Sequence, residues 1–120
     1  MQDIPSSIRL RQKSRVLELT YPDGTVHALE FELLRVYSPS AEVRGHGHGP
    51  GILQTGKRHV MLVQAEPIGN YALKLTFDDG HDSGLYTWSY LSELGVLKER
   101  YWADYLERLE KAGKHRDPRK

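Results

Sequence analysis

One histidine and three aspartates stand close together in residues 78–84, which read Asp-Asp-Gly-His-Asp-Ser-Gly. A carboxylate beside His81 can orient the imidazole ring or raise its pKa, which is the arrangement of an acid–base pair. Asp-Gly and Ser-Gly are also ordinary turn dipeptides, because aspartate bonds its own backbone and glycine accepts a positive φ. Ser83 lacks the context of a nucleophile elbow. We therefore expect a polar turn without catalytic residues, and the chain is not predicted to be an enzyme.

A second histidine group consists of His46 and His48, which are separated by one glycine in a glycine-rich segment. Residues two apart point the same way in an extended chain, so both rings can face one metal ion. With His81 and either Asp79 or Asp82 they would form a nitrogen/oxygen site for zinc or iron. The other interpretation is a mobile loop, because ordering a glycine-rich segment costs conformational entropy.

Four basic or weakly basic residues, Arg35, Lys57, Arg58 and His59, are candidates for a small anion-binding patch or partner surface. The other interpretation is a solvated surface without a ligand. The sequence contains no glycine-rich phosphate loop of the Walker or dinucleotide type.

The composition argues against several classes of protein. The chain has 17 basic and 16 acidic residues, a net charge of +1, and no cysteine. Near-neutral charge argues against nucleic-acid binding, although basic residues cluster at both ends. The missing cysteines exclude disulfides and thiolate metal sites and fit a reducing compartment. No apolar run approaches the roughly 20 residues of a membrane span, and the start lacks a secretory pattern, so we expect a cytoplasmic protein without membrane contact.

Apolar and polar residues alternate in several segments, which is typical of half-buried strands. The strands are predicted at about 14–21, 25–31, 60–66, 72–77 and 85–87. Pro22-Asp23-Gly24 is predicted to be the turn of the first hairpin. Residues 31–36 fit either the end of a strand or one helical turn. A long irregular loop is expected over 38–59, which is rich in glycine.

The periodicity changes to that of helices after residue 87. Thr87 or Ser89 is predicted to cap a first helix that ends at Gly95. A second helix is predicted over 97–112, with an apolar and aromatic stripe facing the core. We therefore predict an α+β fold: a small antiparallel sheet of about five strands with C-terminal helices packed against it. Residues 1–8 are expected to be a flexible arm, 9–112 a single domain and 113–120 a disordered basic tail.

Three segments resemble one known family. They are Leu-Leu-Arg-Val-Tyr-Ser-Pro-Ser-Ala-Glu-Val-Arg at 33–44, Glu-Pro-Ile-Gly-Asn-Tyr-Ala-Leu at 66–73, and Phe-Asp-Asp-Gly-His-Asp-Ser-Gly-Leu-Tyr-Thr-Trp at 77–88. Together they resemble the DUF971 family, the gamma-butyrobetaine hydroxylase-like N-terminal domain, over roughly residues 8–95. The second and third segments together are quite specific to that family. The resemblance leaves the last helix and the basic tail outside it.

The resemblance implies a degenerate metal site. In the hydroxylases this domain holds a structural zinc through a Cys-x-Cys-x-x-Cys segment and one histidine. Carried over by position, the cysteines fall on Ser38, Ser40 and Val43, and the histidine falls on His81. Serine hydroxyls are poor zinc ligands and valine has no donor atom, so we expect a fold that binds no metal or other cofactor.

The resemblance also implies an accessory function. The hydroxylases carry a separate oxygenase domain after this module, and 120 residues are expected to leave no room for it. Similar modules occur alone in bacteria and appended to iron–sulfur carrier ATPases. We therefore expect a non-catalytic interaction module with an unknown protein partner, and self-association is a further possibility. The metal-binding protein using His81 with His46, His48 and a nearby aspartate stays as the alternative.

Overall fold

The computed structural model describes residues 4–40, 43 and 51–118, so His46 and His48 lie outside the described residues. The described elements are β1 Ser7–Arg11, β2 Val16–Thr20, β3 Val26–Glu30, α1 Phe31–Val36, β4 Leu62–Ile68, β5 Ala72–Phe77, β6 Leu85–Thr87, α2 Trp88–Val96 and α3 Lys98–Ala112. The predicted α+β class, with helices at the C-terminal end, is confirmed.

The first sheet is antiparallel with the order β1-β2-β3. Leu17 and Leu19 of β2 are fully buried, as the alternation of apolar residues predicted. The predicted turn joins β2 to β3: the Thr25 amide donates to the Asp23 side chain over 2.9 Å. Gly24 has a φ of 92°, which a residue with a Cβ rarely adopts.

The second sheet is antiparallel with the order β4-β5-β6. Leu73 of β5 lies opposite Tyr86 of β6, and both side chains are buried. The turn from β5 to β6 carries His81. The pairing between β4 and β5 is irregular next to Leu62.

The grouping of the strands differs from the prediction. The described residues form six strands in two sheets of three, whereas one sheet of about five was expected. The additional strand is β1, whose side chains are nearly all exposed, so it carries no alternation of apolar residues. It begins at Ser7, inside the segment expected to be a flexible arm. The Gln12 side chain donates to the Leu62 carbonyl over 2.8 Å and so links the two sheets.

Residues 31–36 form helix α1, which settles the alternative that the sequence left open. All six of its side chains are buried, including Glu32 and Arg35. Two ionisable side chains in a buried helix require partners of opposite charge. Arg35 is paired with Asp79, and Glu32 is paired with Arg116.

The C-terminal helices agree closely with the prediction. The Thr87 hydroxyl accepts a hydrogen bond from the Tyr90 amide over 3.1 Å and caps α2. Helix α2 continues one residue beyond Gly95, and α3 ends at Ala112 and is capped by Gly113, which has a φ of 66°. In the predicted stripe of α3, Tyr105 and Leu109 are buried. Leu97, which the stripe also included, is 39% exposed, because it lies at the corner between the two helices.

The residues after α3 run back along an earlier segment. The Gly56 amide donates to the His115 carbonyl and the Arg58 amide to the Arg116 carbonyl, each over 3.1 Å. A disordered tail was expected from residue 113. The described part of this tail instead makes backbone and side-chain contacts with the domain. None of the helices in the described residues combines the length and the apolar composition that a membrane span requires.

Gly95 is predicted to be required where α2 crosses β3. A Cβ at this position would overlap the ring of His27. Gly95→Ala should therefore lower the free energy of unfolding by about 1 kcal/mol, since overpacking of about 1–3 kcal/mol exceeds the helix-propensity gain of about 1 kcal/mol. In a His27→Ala background the same substitution should become neutral or stabilising. Urea denaturation of the four chains measures this; a glycine-to-alanine effect of the same sign and size in both backgrounds would contradict it.

Candidate functional site

The centre of the candidate site is a hydrogen bond between two buried side chains. Ser38 follows the end of α1, and His81 lies in the turn between β5 and β6. The His81 Nε2 atom is 2.8 Å from the Ser38 Oγ atom. The two residues are only 1% and 6% exposed. Each polar group thus satisfies the other in a region where an unpaired group would be costly.

The two other positions singled out by the resemblance lie on the same short segment. The Ser40 amide donates to Ser38 Oγ over 3.3 Å, and the Val43 amide donates to the Ser40 carbonyl over 3.1 Å. Ser40 and Val43 are both buried. Among the described residues, Ser40 Oγ has no hydrogen-bond partner. The structure therefore buries all four positions, and hydrogen bonds join Ser38 to both Ser40 and His81.

Two neighbours explain how closely Ser38 is packed. A Cβ on Gly84 would overlap Ser38 Oγ, so this glycine allows the β5–β6 turn to approach the end of α1. The Tyr86 hydroxyl donates to the Leu34 carbonyl over 2.5 Å. Burial strongly raises the pKa of Tyr86, although Ser38 partly opposes this effect. The tyrosine is therefore a neutral hydrogen-bonding group in the core.

This donor set does not fit a structural zinc ion. Such sites use thiolate sulfur, imidazole nitrogen or carboxylate oxygen, usually four ligands in all. Here the positions offer one imidazole, whose Nε2 is already bonded to a hydroxyl, two serine hydroxyls and an isopropyl group. Across residues 4–40, 43 and 51–118, no three histidine, aspartate or glutamate side chains are placed to hold a metal ion together.

The aspartates of the alternative metal site have other partners. Asp79 Oδ2 accepts hydrogen bonds from Arg35 Nε and Lys57 Nζ, both over 2.9 Å. Asp79 Oδ1 accepts from the His81 backbone amide over 3.1 Å. The Asp82 carboxylate is exposed and lies 3.9 Å from Lys74 Nζ. The structure therefore joins Asp79 to the turn backbone and to two cations.

The electrostatics of Asp79 follow from these contacts. Partial burial raises its pKa, but the hydrogen bonds from Lys57, the His81 amide and Arg35 outweigh that effect and lower the pKa to about 2. The carboxylate is therefore ionised at neutral pH. It acts as a fixed negative charge between α1, residue 57 and the His81 turn.

Most residues of the predicted basic patch are paired with aspartates of the chain itself. The Arg35 side chain is only 8% exposed, because it faces Asp79 from a buried helix. Lys57 shares the same carboxylate, and Arg58 forms an ion pair with Asp117. His59 is exposed. Three of the four positive groups are thus matched by the chain's own acids.

A second charged pair was not predicted from the sequence. Arg116 binds both carboxylate oxygens of Glu32, with distances of 2.9 and 2.6 Å. A signal was present in the sequence, because Phe-Glu-Leu-Leu-Arg-Val places an acid and a base in an apolar run. Such residues are rarely buried without partners. The sequence did not show which distant residues those partners would be.

Comparison with known proteins gives a consistent result. The profile of the family described as gamma-butyrobetaine hydroxylase-like, N-terminal, matches residues 8–92. The chain is also similar to a protein of unknown function of the DUF971 family from Acidithiobacillus ferrooxidans ATCC 23270. That chain is 42% identical, with a TM-score of 0.64, and the match covers 76% of this chain and 91% of the other. No curated protein matches.

Two solution structures determined by NMR are similar over nearly the whole chain. One is 55% identical, with a TM-score of 0.87, and the match covers 100% of this chain and 94% of the other. The second is 47% identical, with a TM-score of 0.83, and the match covers 97% and 86% of the two chains. The region with relatives therefore extends beyond residue 92 into the last helix.

Ser38 and His81 are predicted to be coupled in their contributions to the free energy of unfolding, because they share a hydrogen bond. Ser38→Ala leaves a buried imidazole nitrogen without this partner and should cost about 1–3 kcal/mol of unfolding free energy. His81→Leu should cost a similar amount, and the double variant should lose clearly less than the sum of the two. Chemical denaturation of the four chains gives the coupling energy, expected at about 1 kcal/mol. Additive losses would show that the two side chains do not act as a pair.

Asp79 is predicted to make stability depend on acid pH. Its folded-state pKa of about 2 lies below the ordinary value of 3.8, so the unfolded chain takes up this proton more readily. Its contribution is complete above about pH 4 and is lost as the pH falls towards 2. Asp79→Asn should lose about 1–3 kcal/mol at neutral pH, with the difference from wild type shrinking below pH 4. Asp82→Asn, at an exposed carboxylate, is the control; equal pH profiles for both variants would contradict the assignment.

Proposed function

Because this chain belongs to the gamma-butyrobetaine hydroxylase-like N-terminal family, we propose that it is a non-catalytic accessory module that binds a partner protein and folds without a metal ion. The observation that carries this proposal is the Ser38–His81 hydrogen bond. It uses the histidine at the position of the family's zinc ligand for a contact within the protein. Ser40 and Val43, at two further positions of that site, are also buried, and neither side chain is a thiolate, an imidazole or a carboxylate.

The charges near His81 also support a non-catalytic function. A general acid or base works best when its pKa lies near the working pH. Asp79, the carboxylate bonded to the His81 amide, has a pKa of about 2 and faces two cations. The Ser38 hydroxyl is buried and accepts a hydrogen bond from the Ser40 amide. These features favour a structural function for the turn.

Exposed apolar side chains on several parts of the surface support a binding function. Ile52, Val63 and Tyr71 are each at least half exposed. Single exposed apolar residues are common on proteins, so these positions are test sites and not a defined interface. The absence of cysteine fits a reducing, cytoplasmic location. A nearly neutral net charge favours a protein partner, or a second copy of the chain, over nucleic acid.

Affinity capture with the full chain tests the proposed function. Ile52→Glu, Val63→Glu and Tyr71→Glu, which change exposed positions, serve as matched baits after their thermal stability is shown to equal that of wild type. We expect one extract protein to be retained reproducibly and to bind the purified wild-type chain directly. At least one of the three substitutions, or one in the groove described below, should weaken that binding at least tenfold. Failure to retain any protein, or a purified pair that does not bind, would contradict the proposal.

The metal-binding alternative makes a different prediction. It requires His46 and His48 to meet His81 and an aspartate, and the first two lie outside the described residues. His46→Ala/His48→Ala should then abolish binding of added zinc. Under the function proposed above, wild type and this double variant should give the same calorimetric trace on addition of zinc.

A further inference from the structure

The tail after α3 is held by an arginine contact of high specificity. The Arg116 guanidinium makes two parallel hydrogen bonds to Glu32, whose side chain is only 7% exposed. The same guanidinium lies over the Trp102 ring, 4.9 Å from the ring centre. A bidentate carboxylate and an aromatic face together recognise arginine better than lysine. Removal of Arg116 would leave Glu32 nearly buried without this cation.

The rest of the tail is held as a bound peptide would be. The amides of Gly56 and Arg58 donate to its backbone, and Arg58 forms an ion pair with Asp117. These contacts follow directly after Gly113, the glycine in the left-handed conformation that ends α3. Peptide recognition commonly combines such main-chain hydrogen bonds with a pocket for one side chain. The described tail residues therefore behave as an internal ligand of the domain.

The groove beside Arg116 holds further empty space with this side chain in place. That space has a volume of about 490 Å³ and is lined on its apolar side by Leu33, Trp102, Ala103 and Leu106. Among the described tail residues, Arg116 is the one that lines it. Leu106 is 40% exposed on the edge of this space. An occupant with an arginine and an adjacent large apolar side chain would bury more apolar surface than the tail does.

The charges around this groove favour a basic occupant. Glu30, Glu32 and Glu99 line it, against Lys98 and the tail's own Arg116. Lys98 donates to the Ala28 carbonyl over 2.8 Å and lies 3.5 Å from Glu30. When Arg116 leaves, three carboxylates face one lysine.

We propose that this tail groove, formed by Glu32, Trp102, Leu106 and the backbone of residues 56–58, docks a partner-protein segment carrying an arginine next to a large apolar residue. The chain's own tail occupies the groove until that segment displaces it. The inference rests on the proposed function and names the surface and the chemistry of its partner. The attached tail competes with the partner segment at a high effective concentration. The partner segment can displace the tail because its large apolar residue adds a contact that the tail does not make.

Fluorescence anisotropy with labelled peptides tests this directly. The probes are a peptide with the sequence of residues 112–120 and variants in which one residue at a time, except the equivalents of Arg116 and Asp117, is leucine. The receptor is full-length Arg116→Ala, whose tail has lost its anchor. We expect the parent peptide to bind the Arg116→Ala receptor at least tenfold more tightly than it binds the wild-type chain. At least one leucine variant of the peptide should bind the Arg116→Ala receptor roughly tenfold more tightly than the parent peptide does.

Two matched receptors separate the parts of the proposal. Glu32→Gln/Arg116→Ala should lose binding of every peptide at least tenfold. Leu106→Ser/Arg116→Ala, which removes the apolar contact without adding charge, should lose only the gain from leucine. Equal binding to all receptors, or no gain from any leucine, would overturn the proposal. Concentration-dependent dimerisation of wild type through Arg116 would also overturn it, by making a second copy the occupant. Each of these three results leaves the affinity-capture test intact, because a retained partner unaffected by Glu32→Gln/Arg116→Ala binds another surface.

Discussion

The contact between Ser38 and His81 fixes how the two halves of this chain meet. It joins the end of α1, which follows the first sheet, to the turn of the second sheet, 43 residues later in the sequence. The close approach depends on Gly84, where a side chain would overlap the serine oxygen. The side-chain hydrogen bond from Ser38 to His81 thereby holds residues 38–40 against the β5–β6 turn, and the Ser40 amide donates to the same Ser38 Oγ. The buried polar groups of Ser38 and His81 thus satisfy each other inside the protein.

Helix α1 connects the region of this contact to the C-terminal tail. Its two buried ionisable side chains point to different partners: Arg35 reaches Asp79 beside the His81 turn, and Glu32 reaches Arg116 in the tail. A buried charge that loses its partner is strongly destabilising, so each pair holds a distant segment against the helix. Six consecutive buried residues thus contact both the His81 turn and the tail groove.

The sequence predicted the elements with strong periodicity and missed those without it. The hairpin turn at Asp23, the Thr87 cap and the last helix follow from local patterns, and local geometry confirms them. Strand β1 lacks an apolar face, so its position depends on pairing with β2. The family resemblance located Ser38, Ser40, Val43 and His81, and composition showed that thiolates are missing. Neither could show that Ser38 would bond His81, or that Arg35 and Glu32 would bind residues 44 and 84 positions away.

The most direct test of a metal-free fold is the metal content of the untagged full-length protein, measured together with its thermal stability. Zinc and iron should be far below one equivalent per chain, and the unfolding temperature should be the same with and without a strong chelator. Stoichiometric zinc or iron, lost together with the folded structure on chelation, would contradict the account, because the Ser38–His81 hydrogen bond could then not be what replaces the metal.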